Sequence, residues 1–331
     1  MIATRKYDIV ELKETESLLD TRFQQYIEPF WREQVVNGYF SGKDNIQIAY
    51  AFVLHPNARG SIAISSGRIE TLLKYKELIF NLYNAGYSVF IHDHRGQGLS
   101  GRMTANTQQG YVASFDDYVS DFKIFFDRVI APKSATKPIL ISHSMGAAIA
   151  SLYLIKHPDD FEKCVMSAPM FGIRPALPNV IAYALLSFHM LCNKALSKEP
   201  WYFLGQGDYM PADFNKNVLT RSETRYKVFR AEYEENPSIK LGGVTSKWLF
   251  EAYRAMSLIY QNADSIVSPV LLLQAGDDKV VDNCRQDKMV AKLPNCKHVY
   301  LENARHELFM ELEETRDECL REILTFIETN P

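Results

Sequence analysis

The run Ile139-Leu140-Ile141-Ser142-His143-Ser144-Met145-Gly146-Ala147-Ala148 holds the chain's best candidate for covalent chemistry. Apolar, mostly β-branched residues lead into a serine-rich corner, and small residues suited to a helix follow. A strand, a tight turn and a helix start would lift Ser144 onto a strained tip above the sheet. A serine hydroxyl is a weak nucleophile. It needs a base to take its proton, and the base needs an acid to orient it. Asp278 follows the apolar run Val270 to Gln274, and His306 follows the strand-like stretch near Tyr300. Ser144, Asp278 and His306 thus occur in an order known for nucleophile, acid and base on one sheet. Taken singly, each has a plainer reading: a serine-rich loop, an acidic turn, a capping histidine. Together, each after an expected strand, they point to acyl transfer. That chemistry also needs donors for an oxyanion. The Met145 amide is one candidate. The Arg68 amide, after Gly67 in Ser65-Ser66-Gly67-Arg68-Ile69-Glu70, is the other.

These residues must be carried by a sheet. Val35 to Phe40 and Ile46 to Leu54 are expected as strands joined by a turn at Ser41 to Asp44. Ser61 to Ser65, Ser88 to Ile91, Val270 to Gln274 and His298 to Leu301 are further strands. Helical patterns begin near Tyr75 and run over Ser114 to Ile130 and Leu312 to Ile327. Lys13 to Gln34 also has helical spacing. Alternating strand and helix predicts an α/β fold with a mostly parallel sheet, helices on both faces and an antiparallel first edge. The rhythm stops after Pro169. The expected division is a core over residues 1–170 and 263–331, with an inserted helical cap over residues 171–262.

The chain has 331 residues, 47% hydrophobic and 23% charged, which suits one large domain with an insertion. A net charge of -3 gives no reason to expect nucleic acid as a partner. The first residues, Met1 to Asp8, lack an apolar signal region. Five scattered cysteines without C-x-x-C fit neither a disulfide framework nor a zinc site. A cytoplasmic protein is expected.

Ile91-His92-Asp93-His94-Arg95-Gly96-Gln97-Gly98-Leu99-Ser100 resembles the D-x-R-G-x-G-x-S turn of α/β-hydrolases. With Ser142 to Gly146, Gln274 to Asp282 and Arg305 to Glu307, the chain resembles the monoacylglycerol-lipase and lysophospholipase branch, above all the bacterial lysophospholipases of the L-two type. Further shared strings are Gly67 to Glu70, Ala168 to Ile173, Asn217 to Thr220 and Val280 to Asn283. There are two departures. Ser142 stands for the first glycine of G-x-S-x-G, and Ser66 for the usual histidine before Gly67. The resemblance implies the α/β-hydrolase fold, with Asp278 rather than Asp277 as the acid. It makes His92 and His94 parts of a structural turn, so no metal is expected, and the chemistry calls for no cofactor.

The resemblance implies a serine esterase of lipid metabolism and phospholipid degradation, cleaving the acyl ester of lysophospholipids. The alternatives are a monoacylglycerol lipase or carboxylesterase, a prolyl-type aminopeptidase, and a silent lipid-binding α/β-hydrolase. The cap offers Ile181, Tyr183, Leu185, Leu186, Phe188, Met190 and Leu191 for an acyl chain. It offers Lys216, Arg221, Arg225, Lys227 and Arg230 for a phosphate. Gly67, Glu70, Arg221 and Arg225 are the expected substrate contacts. The basic side is also expected to hold the protein peripherally on the inner face of an anionic membrane.

Overall fold

Strands without charged residues build the centre. Tyr87–His92, Ile139–His143, Cys164–Ser167 and Val270–Ala275 are buried along their whole length. Parallel strands covered on both faces read as continuous apolar runs, which is why the sequence shows no alternation there. The computed structural model describes residues 18–175 and 177–329. Among them, eight strands form one sheet: β1 (Val36–Ser41), β2 (Gln47–Val53), β3 (Gly60–Ser65), β4 (Tyr87–His92), β5 (Ile139–His143), β6 (Cys164–Ser167), β7 (Val270–Ala275) and β8 (Cys296–Leu301). Their order is β1-β2-β4-β3-β5-β6-β7-β8. The first two pairings, β1 with β2 and β2 with β4, are antiparallel, and the others are parallel. The antiparallel first edge agrees with the sequence reading. β8 starts before the expected His298 and is mostly uncovered, because an edge strand has one neighbour only.

The helices follow the expected pattern. The N-terminal run is α1 (Leu19–Arg22), a π-turn over Phe23–Ile27 and α2 (Glu28–Gln34). The part of the expected helix at Lys13 to Ser17 lies outside the described residues. α3 (Lys76–Asn84) and α4 (Phe115–Phe125) come next, and α4 opens on a capping box of Ser114 with Asp117. α5 (Met145–Lys156) is apolar all round and buried at ten successive positions from Met145 to Leu154. Between β6 and β7 lie α6 (Asn179–Leu196), α7 (Glu223–Glu235) and α8 (Ser246–Gln261), and none of this stretch joins the sheet. α8 lays Trp248, Ala252, Ala255, Met256 and Ile259 into the apolar layer that α4 and α5 share with one sheet face. The other face is covered by α3 and by α10 (Glu313–Glu328), after α9 (Asn283–Val290). Val228 of α7 packs on Leu19, Phe23 and Ile27, so the N-terminal run braces the insert. No helix among the described residues is long and apolar enough to cross a membrane.

The topology fixes where chemistry can occur. β3, β5, β7 and β8 run parallel. The loops after them therefore meet at one edge, outside the carboxyl ends of the strands. These are the loops that carry Arg68, Ser144, Asp278 and His306.

Candidate active site

Ser144 sits between β5 and α5 with φ 51° and ψ −116°, a region that side chains other than glycine rarely occupy. The surroundings hold it there. Its amide donates to the Ser167 carbonyl at 3.0 Å, and its own carbonyl accepts from the Ala147 and Met170 amides at 3.0 and 3.1 Å. The small residue at 146 is obligatory. A Cβ on Gly146 would lie 2.2 Å from the Ser65 carbonyl oxygen and 2.4 Å from that of Ser66. Ser142, in place of the usual first glycine, is accommodated with its hydroxyl donating to the Val165 carbonyl on β6 at 2.8 Å.

The three candidates meet. His306 Nε2 lies 2.9 Å from Ser144 Oγ, and Nδ1 lies 2.7 Å from Asp278 Oδ2. Asp278 Oδ1 accepts from the Val280 and Val281 amides at 2.7 and 2.9 Å. Burial alone would raise the Asp278 pKa. The His306 hydrogen bond and charge and the two amides outweigh it, so the carboxylate stays below its usual range. Asp277 points away and pairs with Lys279 at 2.6 Å at the exposed surface. His143 packs against His306 with ring centroids 4.9 Å apart and planes tilted by 51°. Burial first, and the neighbouring His306 and Lys74, lower its pKa to about 4 despite Glu70. It is a neutral platform at pH 7, not a competing base.

The loop after β3 is pinned from below. Gln97 Nε2 donates to the Gly67 carbonyl at 2.7 Å and to that of Glu70 at 3.1 Å. Glu70 accepts from the Gly67 amide and from the Tyr75 hydroxyl, and pairs with Lys74 at 2.6 Å. Lys74 pairs equally with Glu307, the residue after His306, at 2.6 Å. One buried ammonium therefore ties the loop of Arg68 to the loop of His306. Met145 opens α5, so its amide has no acceptor within the helix. Sequence reading missed Gln97 and Lys74. An i,i+4 Glu–Lys pair reads as an ordinary exposed helix contact, and nothing in the sequence marks this one as buried.

A cavity of about 390 Å³ opens above Ser144 and His306. Its walls include Arg68, Ile69 and Val280 from the sheet edge, and Tyr209, Phe229 and Arg230 from the inserted segment. The expected substrate contacts are placed differently from one another. Arg225 is buried and pairs with Glu77 at 3.0 Å and Glu313 at 2.5 Å. Arg221 pairs with Glu311 at 3.3 Å and donates to Thr315 Oγ1 at 3.1 Å. Neither lines the cavity. Gly67 does not line it either; a Cβ there would meet the Glu70 carboxylate at 2.8 Å and the His143 ring at 2.9 Å. Glu70 reaches the wall, but its oxygens serve Gly67, Lys74 and Tyr75. His92 and His94 stack edge-to-face at 4.8 Å, deep in the turn beside Phe122, Phe125 and Tyr118.

An elbow serine on a mostly parallel sheet, with an aspartate and a histidine from later strand ends, defines an α/β-hydrolase. Residues 56–313 match the Hydrolase_4 family, described as serine aminopeptidase, S33, and the chain belongs to that family. It is 33% identical to lysophospholipase L2 of Escherichia coli K12 over 90% of this chain and 88% of that one. It is 35% identical to the probable lysophospholipase L2 of Haemophilus influenzae over 90% and 94%. Its fold is similar to that of a soluble variant of monoglyceride lipase from Saccharomyces cerevisiae, with a TM-score of 0.66, 18% identity and coverage of 88% and 94%.

Proposed function

We propose that this protein is a lysophospholipase. The observation that carries this is the hydrogen-bonded relay Asp278–His306–Ser144, with spacings of 2.7 and 2.9 Å, at the floor of the 390 Å³ cavity. The kinship with lysophospholipase L2 supports the substrate class. Ser144 Oγ attacks the acyl carbonyl as His306 takes its proton. Asp278 keeps Nδ1 protonated and steadies the imidazolium. The Arg68 and Met145 amides receive the oxyanion. His306 then protonates the departing glycerophospho alcohol. Water, deprotonated by His306, releases the fatty acid. Residues 171–262 act as the cap, with α7 and the Gly205–Met210 loop forming the roof. Turnover of lysophosphatidylcholine, a monoacylglycerol and a prolyl amide, measured side by side, tests this. The lysophospholipid should have the highest kcat/KM; a dominant monoacylglycerol or prolyl amide would replace the reading.

The membrane contact is apolar in this proposal. Arg221 and Arg225 are held in ion pairs, and Lys227 pairs with Glu223 at 2.7 Å. α6 instead exposes Val180, Ile181, Leu185, Phe188 and Leu191 along one helical stripe, with Val180 81% and Phe188 66% exposed. Each such side chain taken into lipid contributes about 1.5–3 kcal/mol. Wild-type protein should pellet with anionic vesicles at both low and high salt, and Phe188→Asp/Leu191→Asp should stay in solution. Pelleting lost at high salt would favour basic attachment, and no pelleting would exclude attachment.

A further inference from the structure

Buried cations in this fold are generally matched. Lys74, Lys76, Arg95, Arg225 and Arg316 each meet a carboxylate, as the cost of an unpaired buried charge requires. Lys163 is instead met by the carbonyls of Phe326, Ile327 and Thr329, and two half-buried arginines on the wall of the catalytic cavity lack a carboxylate. Among the described residues, neither Arg230 nor Arg68 has a carboxylate within salt-bridge distance.

Arg230 lies in an aromatic cage. Its guanidinium carbon is 4.8 Å from the ring centre of Tyr226, 5.5 Å from Tyr233 and 5.8 Å from both Tyr209 and Phe229. Ring faces stabilise a cation without neutralising it. Nη1 donates to the Tyr209 hydroxyl at 3.3 Å, while Nε is buried without a partner. Arg68 lies 5.6 Å from the Trp248 ring centre, and its Nη1 donates to the Gly242 carbonyl at 3.1 Å. Both guanidinium groups are thus held in place with their charge uncompensated. Of the three acids on the same wall, two are paired with a cation and the third is held by neutral donors. Glu70 and Glu307 share Lys74, and Asp208 accepts from Tyr202 at 2.6 Å and Asn106 at 2.8 Å.

We infer that Arg230, assisted by Arg68, is the phosphate-binding residue of this cavity and selects a phosphorylated over a neutral glycerol leaving group. A guanidinium presents paired donors that match phosphate oxygens, and a phosphate supplies the missing counter-charge. The inference rests on the lysophospholipase reading for its substrate, but the anion site can be tested apart from it.

The first measurement is the ratio of kcat/KM for lysophosphatidylcholine to that for the monoacylglycerol of the same chain. Arg230→Gln should lower this ratio at least tenfold, chiefly through KM for the phospholipid, and Arg230→Lys should recover part of it. An equal fall for both substrates would overturn the inference. The second uses wild-type protein and a phosphate-free p-nitrophenyl ester. Glycerophosphocholine should inhibit competitively at concentrations at least tenfold below those of glycerol. Inorganic phosphate, tested alongside, shows whether the anion alone suffices. If glycerophosphocholine inhibits but lysophospholipid is not cleaved, the anion site stands and the proposed function fails. If lysophospholipid is cleaved but glycerophosphocholine is no better than glycerol, the anion site fails.

Discussion

Ser144→Ala is expected to lower kcat for ester hydrolysis by about 10^4- to 10^6-fold, the scale on which loss of a relay nucleophile acts. The backbone should hold. The elbow conformation is fixed by the Ser167, Ala147 and Met170 hydrogen bonds, all of which alanine retains. What disappears is the hydroxyl 2.9 Å from His306 Nε2. A fluorophosphonate should label the wild-type protein at residue 144 and leave the variant unlabelled. Asp278→Asn should follow with a loss of about 10^4-fold, because an amide favours the wrong imidazole tautomer. Labelling of the Ser144→Ala variant at the wild-type rate would move the nucleophile elsewhere. Unchanged unfolding midpoints in urea should accompany both losses.

The second large effect concerns stability. Lys74→Met should destabilise the fold by about 3–5 kcal/mol, the cost of removing one partner from a buried ion pair. Here one ammonium faces two carboxylates, Glu70 and Glu307, each at 2.6 Å. Burial works against the Lys74 charge, but the two glutamates prevail and its pKa is raised. Without Lys74, both acids must ionise unpaired or take up protons. Activity should fall as well, since Glu70 holds the loop of Arg68 and Glu307 adjoins His306. Adding Glu70→Gln and Glu307→Gln to Lys74→Met should restore part of the stability by removing the stranded charges. A loss below about 1 kcal/mol for Lys74→Met alone, as for an exposed pair, would show that water reaches the cluster.

The legible and illegible parts of this chain divide by physical range. The elbow is local: an apolar strand, a corner and a small-residue helix lie within ten consecutive positions, Ile139 to Ala148, and β5 and α5 form there. β7 after the insert is likewise a short apolar run, while β8 carries Lys297 and His298 among its apolar residues, so the positions of Asp278 and His306 can be read from pattern and order. Asp277 and Asp278 are distinguished in the sequence only by resemblance. The structure separates them by where each carboxylate points, one to His306 and one to Lys279.

The arginines between β6 and β7 show the limit. Arg221, Arg225 and Arg230 look alike on one amphipathic segment. Arg225 finds Glu77, 148 residues away in sequence, and is locked in the fold. Arg230 finds aromatic rings and the cavity. The sequence by itself determined the elbow's strand and helix and the chain order of Ser144, Asp278 and His306, because the first depends on neighbours along the chain and the second is the chain itself. Only the tertiary structure decided which charges are spent on one another and which remain for a ligand. Pairing depends on distance in space, and periodicity along a helix carries no record of what packs against it.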